Sequence, residues 1–258
     1  MNTLQVPPAA GTPDWLRLHA LEAWYEFLRV LRTPAFALPT LCFPVVFYLV
    51  FGIVVPGDWG SVHKASYLMA TYGAFGVMGP ALFGFGVGLA LERKQGLLEL
   101  KRVSPMPASA YFLAKIVMSV AFAFVVVALL AAVGVGLGGV SLPASAWAQL
   151  LAVLMLGTLP FCAIGLFIGT VAKGEAAVAI VNLVYLPMSL LGGLWLPLKV
   201  FPAAFQSMAV VLPSWHLGQM ALGAVGQAQG VPFGLHAAAL GATTVLFLAL
   251  AALRLRGE

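Results

Sequence analysis

The sequence predicts an all-α polytopic membrane protein with six transmembrane helices, an N-terminal interfacial helix and external re-entrant helices between spans five and six. Three observations carry this expectation. Hydrophobic residues make up 62% of the 258, against roughly 45–50% in soluble domains. Charged residues make up only 8%, against about 25% in soluble domains. Six stretches reach the length needed to cross a bilayer, about 20 residues, without a single Lys, Arg, Asp or Glu. These spans consume nearly the whole chain, so residues 1–258 are expected to form a single transmembrane domain with no separate soluble catalytic unit. The net charge of +5 fits the basic flanks of spans and gives no reason to expect nucleic acid.

In chain order, residues 1–33 hold Asp14, Arg17, Glu22, Glu26, Arg29 and Arg32 with no uninterrupted apolar run, which does not suit a signal peptide. Thr12 can cap a helix there, Pro13 suits its first position and Asp14 its first turn. On that helix His19, Glu22, Glu26 and Arg29 form a narrow polar stripe among Trp, Tyr, Phe and Leu. That pattern suits a connecting helix over 12–33 lying in the membrane interface, with packing against the spans as the alternative. The spans follow as Phe36–Val55, Tyr67–Leu91, Ile116–Leu137, Trp147–Val171, Ala176–Leu196 and Leu235–Leu253. Pro39, Pro44, Pro80, Pro160 and Pro187 fall inside them and predict kinks. Cys42 and Cys162 also fall inside spans, as small apolar side chains rather than a disulfide. Between spans five and six, Pro197–Pro232 contains two apolar pieces, Phe201–Leu212 and Ser214–Val225, divided by Pro213. Each is too short to cross, which suits re-entrant helices.

Six spans place both termini on one side, and basic residues choose the side. Eleven Lys and Arg fall with the termini, the loop after span two and the loop after span four; Lys64 and Lys199 alone fall opposite. The excess puts both termini in the cytoplasm. The densest part is the segment from Glu92 to Lys115, which holds seven of the chain's 21 Lys, Arg, Asp and Glu residues. It is the place where a soluble partner could be gripped.

Chemistry is sparse elsewhere. There is no Gly-x-x-x-x-Gly-Lys-Ser/Thr, no His-Glu-x-x-His and no Cys-x-x-Cys, and His19, His63, His216 and His236 are too scattered for a metal site. Ser189 and His236 are not tied together as a nucleophile and base. Asn182, Thr158, Thr170, Thr243 and Thr244 are the polar groups at depth, read as interhelical hydrogen bonders. Gly84 with Gly88, Gly134 with Gly138, and Gly165 with Gly169 allow close helix approach, within one chain or across a dimer seam. With no Lys, Arg, Asp or Glu on the spans and only His236, near the outer end of span six, able to carry a proton, a transporter of this kind draws its energy from outside the membrane domain, and its cargo is amphipathic or lipid-like. A membrane enzyme acting on lipids is the rival reading, but it lacks paired acids or a nucleophile. A non-transporting sensor or structural subunit stays open.

Glu92-Arg93-Lys94-Gln95-Gly96-Leu97-Leu98-Glu99, then Val103-Ser104-Pro105 and Ala114-Lys115, resembles the signature loop of type-2 ABC exporter permeases. Ser189-Leu190-Leu191-Gly192-Gly193-Leu194-Trp195-Leu196-Pro197, with Phe201-Pro202 and Leu212-Pro213, is similar to that family's span-five end and external region. The resemblance implies an ATP-driven permease subunit of the cell membrane, in bacteria the inner membrane. It is not itself an enzyme and carries no cofactor, since ATP and Mg belong to a separate ATP-binding subunit. It also implies two permeases with two ATP-binding subunits, here a homodimer, within membrane lipid. The coupling element would then be Gly96–Pro105. Leu97, Leu98 and Leu100 would supply apolar contact, and Glu92, Arg93, Glu99, Lys101 and Arg102 charged contact. The segment 92–115 is its cytoplasmic loop, and the external region 197–232 would hold a gate with Pro202, Pro213, Trp215 and His216. The cargo could be a drug, a lipid or a glycan, and Phe36, Phe43, Phe47, Tyr48, Phe75, Phe83 and Phe85 are aromatic candidates for its path.

Overall fold

A computed structural model describes residues 15–57, 63–103, 107–227 and 230–256. Thr12, Pro13, Asp14, Ser104 and Pro105 lie outside the described residues, as do the side chains of Lys101 and Arg102. The described residues form helices and no strand: α1 (Trp15–Leu31), α2 (Pro34–Phe47) running into a π-helical stretch (Tyr48–Val54), α3 (Lys64–Lys94), α4 (Leu97–Val103), α5 (Ala108–Gly136), α6 (Ala144–Leu156), α7 (Leu159–Val171), α8 (Ala176–Leu191), α9 (Ala203–Ala209), α10 (Pro213–Ala224) and α11 (Phe233–Arg256).

Among the described residues five helices are long and apolar enough to cross a membrane: Pro34–Val54, Lys64–Lys94, Ser109–Gly136, Ala144–Val171 and Phe233–Arg256. The fifth predicted span, Ala176–Leu196, forms a helix only as far as Leu191. Gly192 caps that helix and Gly193 turns at φ 72°, a conformation open to glycine at little cost. The fourth span is divided at Gly157-Thr158, where Pro160 cannot donate to the Leu156 carbonyl and the Thr158 hydroxyl donates to Met155 O at 2.7 Å. Pro39, Pro44, Pro80 and Pro187 sit inside helices that continue through them.

The long helix α3 is the hub, buried along most of its length. It packs on α7, α5, α8, α10 and α2. Small residues set its approach to α7. A Cβ on Gly165 would lie 2.9 Å from Ala81 O, and one on Gly169 would lie 2.9 Å from Phe85 O, so glycine is required by the neighbouring backbone. The other spaced glycines also face their own chain: Gly84 meets Met118, Gly88 meets Lys115, and Gly134 and Gly138 both meet the Tyr48 hydroxyl. The polar groups at depth turn inward on their own helices instead of bridging between helices. Thr158, Thr170, Asn182, Thr243 and Thr244 each donate to a carbonyl three or four residues earlier. A short hydroxyl or amide reaches that carbonyl without leaving its helix, which is why they do not bridge.

The segment 92–115 proves mostly helical. Glu92–Lys94 finish α3, α4 occupies the middle, and Lys115 lies two turns into α5. Residues 197–232 hold α9 and α10 as two short helices divided by Pro213. The face of α9 is largely exposed, whereas α10 is buried almost throughout against α11, α3 and α6.

Candidate functional site

Charge collects at one end of the bundle, where α1, α3 and α5 meet. Glu26 and Arg29 lie three residues apart on α1, and Tyr111 and Lys115 four apart on α5, so each pair shares a helix face. Both faces point at Glu92 in the last turns of α3. Lys115 Nζ bonds Glu26 Oε1 at 2.8 Å and Glu92 Oε1 at 3.0 Å. Arg29 Nη2 bonds the same two oxygens at 2.7 and 2.6 Å. The Tyr111 hydroxyl donates to Glu92 Oε2 at 2.6 Å. Lys115 is 0% and Glu92 2% exposed. Gly88, one turn before Glu92, leaves room for the ammonium, since a Cβ there would sit 3.3 Å from Lys115 Nζ. Two acids and two bases make the quartet formally neutral, so each buried charge has a partner. Burial alone would lower the Arg29 pKa, but the Glu26 and Glu92 carboxylates outweigh it and raise it above the usual arginine value. The polar stripe of α1 thus turns partly inward, with His19 Nε2 also 3.4 Å from Ser109 Oγ on α5. Trp15, Leu16, Trp24 and Tyr25 are left exposed.

The next two residues clamp α3 to the turn after α7. Arg93 Nη1 donates to Gly169 O at 3.1 Å and Thr170 O at 2.6 Å, carbonyls at the C-terminal end of α7 where a cation is favoured. Lys94 Nζ bonds Glu175 Oε1 at 2.6 Å in the open, and that hydrogen bond holds the Glu175 carboxyl below its usual range. Gly96, at φ 72°, reverses the chain into α4. On α4, Leu97 and Leu98 are half-buried and Glu99 is exposed. Leu100 is 64% and Val103 83% exposed, and their spacing of three puts them on one face. Beside α4 opens a cleft of about 570 Å³ whose walls include Arg93, Lys94, Leu98, Glu99, Lys173, Glu175 and Arg254.

A second cavity, about 520 Å³, lies on the spans between α2, α3 and α8. Five of the seven predicted path aromatics line it: Phe36, Phe43, Phe47, Phe75 and Phe83. Tyr48 and Phe85 do not, being fully buried in the core instead. Tyr185 and Trp195 complete the wall. Tyr185 stacks on Phe75 at 4.9 Å between centroids, and Trp195 packs edge-on to Phe75 at 5.6 Å. Trp195 Nε1 is buried with no acceptor among the described residues.

At the end of the bundle away from the quartet, Pro202 precedes the first residue of α9 and Pro213 opens α10. Trp215 and His216 point into the bundle and meet His236 of α11. Ser189, on α8, donates to Tyr185 O and has no part in that group.

The ABC-2 type transporter family matches residues 20–225, from the quartet through α10. The chain belongs to this family. It is also 32% identical over 195 residues to the protein named "Putative transport permease YvfS" of Bacillus subtilis (strain 168), covering 75% of this chain and 79% of that one. The chain is therefore a multi-pass membrane protein and a transporter subunit, as its resemblance to type-2 permeases led us to expect.

On this ABC-2 permease the expected coupling residues divide. Glu92 faces inward, because both its oxygens are taken up by Arg29, Lys115 and Tyr111; it is not a surface contact. Arg93 is bound to α7 carbonyls. Glu99 and Leu100 remain outward. Sequence reasoning missed the joint formed by Glu26, Arg29, Tyr111 and Lys115, although the paired spacings on α1 and α5 carried its signal. It also left Val103, Tyr185 and Asn182 out of the surfaces they line.

Proposed function

We propose that this permease moves an amphipathic, lipid-like or glycan substrate outward, powered by ATP hydrolysed on a separate subunit that docks on α4. The observation that carries the reading is α4 itself, a short helix with Leu100 and Val103 turned outward beside Glu99. It is joined directly to an α3 whose end is held to α1, α5 and α7 by buried or capped charges. A push on α4 then reaches the hub helix without being absorbed by a loose hinge. α1 moves with α3 and α5 as one lever, its exposed aromatics in the membrane interface.

In this reading α8, at roughly 24 Å by helical rise, serves with Gly192–Trp195 as span five and completes the six. The charged end is cytoplasmic by the basic-residue excess, and the membrane is a bacterial inner membrane. Two copies pair, each with its ATP-binding subunit. The aromatic cavity takes the cargo: its walls suit apolar or stacked rings, and Trp195 Nε1 offers one donor to a polar group. α10 is the external gate, with Pro213, Trp215 and His216 at its start and Pro202 before α9.

The test is docking. The ATP-binding subunit is co-purified with wild type and with Leu100→Glu/Val103→Glu, and its ATPase activity is measured in lipid. The double variant should insert normally and lose roughly tenfold in affinity for the subunit, about 1.4 kcal/mol. Unchanged binding and ATPase activity would remove α4 as the docking helix.

A further inference from the structure

The buried imidazoles of α10 and α11 are not used in the coupling reading, and their geometry is specific. His216 Nδ1 and His236 Nδ1 lie 2.8 Å apart. They are 6% and 3% exposed. The Trp215 ring packs edge-on against both, with centroids at 4.9 and 5.1 Å. A contact this short between two ring nitrogens holds one proton: one nitrogen donates and the other accepts. That arrangement serves the neutral pair and equally a pair with one ring charged, the further proton then lying on an Nε2; only when both rings are charged do two N–H groups and two positive charges meet face to face.

No described acid lies nearby to offset that charge. α10 packs on α3, α6, α8 and α11. At this end α3 brings His63, Lys64, Tyr67 and Tyr72, all neutral or basic. α6 has no titratable residue, α8 has only Tyr185, and α7, which packs on α11, has only Cys162. α11 has His236 and, at its far end, Arg254 and Arg256. Every described acid, from Glu22 to Glu175, belongs to α1, the last turns of α3, α4 or the turn before α8. Burial also holds His216 below the usual histidine range, against the opposing pull of the Val210 carbonyl.

We propose that His216 and His236 form a proton-operated latch: it fastens α10 to α11 while no more than one of the two rings is charged, and parts them when acid charges both. The helix so released is the one read above as the external gate, and only that gating meaning rests on the transport reading. Parting of the two helices does not.

Spin labels at Val211 and Leu235, both exposed, report the α10–α11 distance in the full chain in nanodiscs, in a Cys42→Ser/Cys162→Ala background. Wild type should give one short distance at pH 8 and a longer population that grows only on acidification below the ordinary histidine value of about 6.5. His216→Gln and His236→Gln keep a hydrogen bond but cannot take the second charge, so both should hold the short distance throughout. A wild-type distance that ignores pH, or the same acid response in both Gln variants, overturns the latch. Should the Gln variants misfold, the fluorescence of Trp215, taken as wild type minus Trp215→Phe, must still change over that range; a flat titration also overturns it. Loss of the latch would leave docking at α4 untouched, and failed docking would leave this titration unchanged.

Discussion

Lys115 is the residue on which the charged end depends most. It touches two carboxylates, and removing it leaves both short of a buried partner, the costly way to break such a network. Lys115→Ala should therefore destabilise the permease by about 3–5 kcal/mol. Lys94→Ala, which opens a pair in solvent, should cost far less, since exposed ion pairs contribute little. Thermal unfolding of the two variants in the same detergent separates them, and similar losses would argue against the buried quartet. The Lys94–Glu175 pair also has a pH signature of known sign. Because the Glu175 carboxyl is held below its usual range, its contribution is present above the ordinary carboxylate value and disappears as pH falls through the lowered one. Glu175→Gln and wild type should then converge in stability only in strong acid. Convergence already near neutral pH would contradict the pairing.

Among the elements, the α3–α7 contact rests on backbone against backbone. Gly165→Val inserts carbon where Ala81 O, Leu82 O and Leu82 Cα lie within 3.1 Å, and rigid main chain cannot step aside as a side chain would. We expect a loss of about 1–3 kcal/mol or more, read by unfolding. Gly136→Ala, with nothing within 4 Å of its added carbon, should be neutral or slightly stabilising. Element by element, the sequence was legible where its signal was local. Apolar runs without charge marked the long helices, and Pro213 marked the division between α9 and α10. It was less legible where tertiary packing decides. Glu92 looked like a surface charge because nothing local distinguishes a solvated glutamate from one satisfied by α1 and α5. Span four looked continuous because Pro160 alone does not say whether a helix bends or breaks. Leu196 looked helical because apolar composition outweighed the Gly192-Gly193 stop.

At the scale of the whole molecule, two surfaces lie on either side of one hub. α4 stands at the charged end of α3, and the aromatic cavity borders α3 through Phe75, Gly79 and Phe83. The quartet fixes the end of α3 to α1 and α5, so the proposed drive reaches the cavity as movement of a rigid group. Its most direct test needs no known cargo. Spin labels at Leu38 on α2 and Val211 before α10, both exposed, are followed with the ATP-binding subunit bound, before and after trapping with a non-hydrolysable ATP analogue. Wild type should show a nucleotide-dependent change in distance. Glu92→Gln with Lys115→Met, which removes the joint but leaves α4 intact, should still bind the subunit and lose that change. If the double variant binds the subunit and moves as wild type does, the quartet does not couple the two ends.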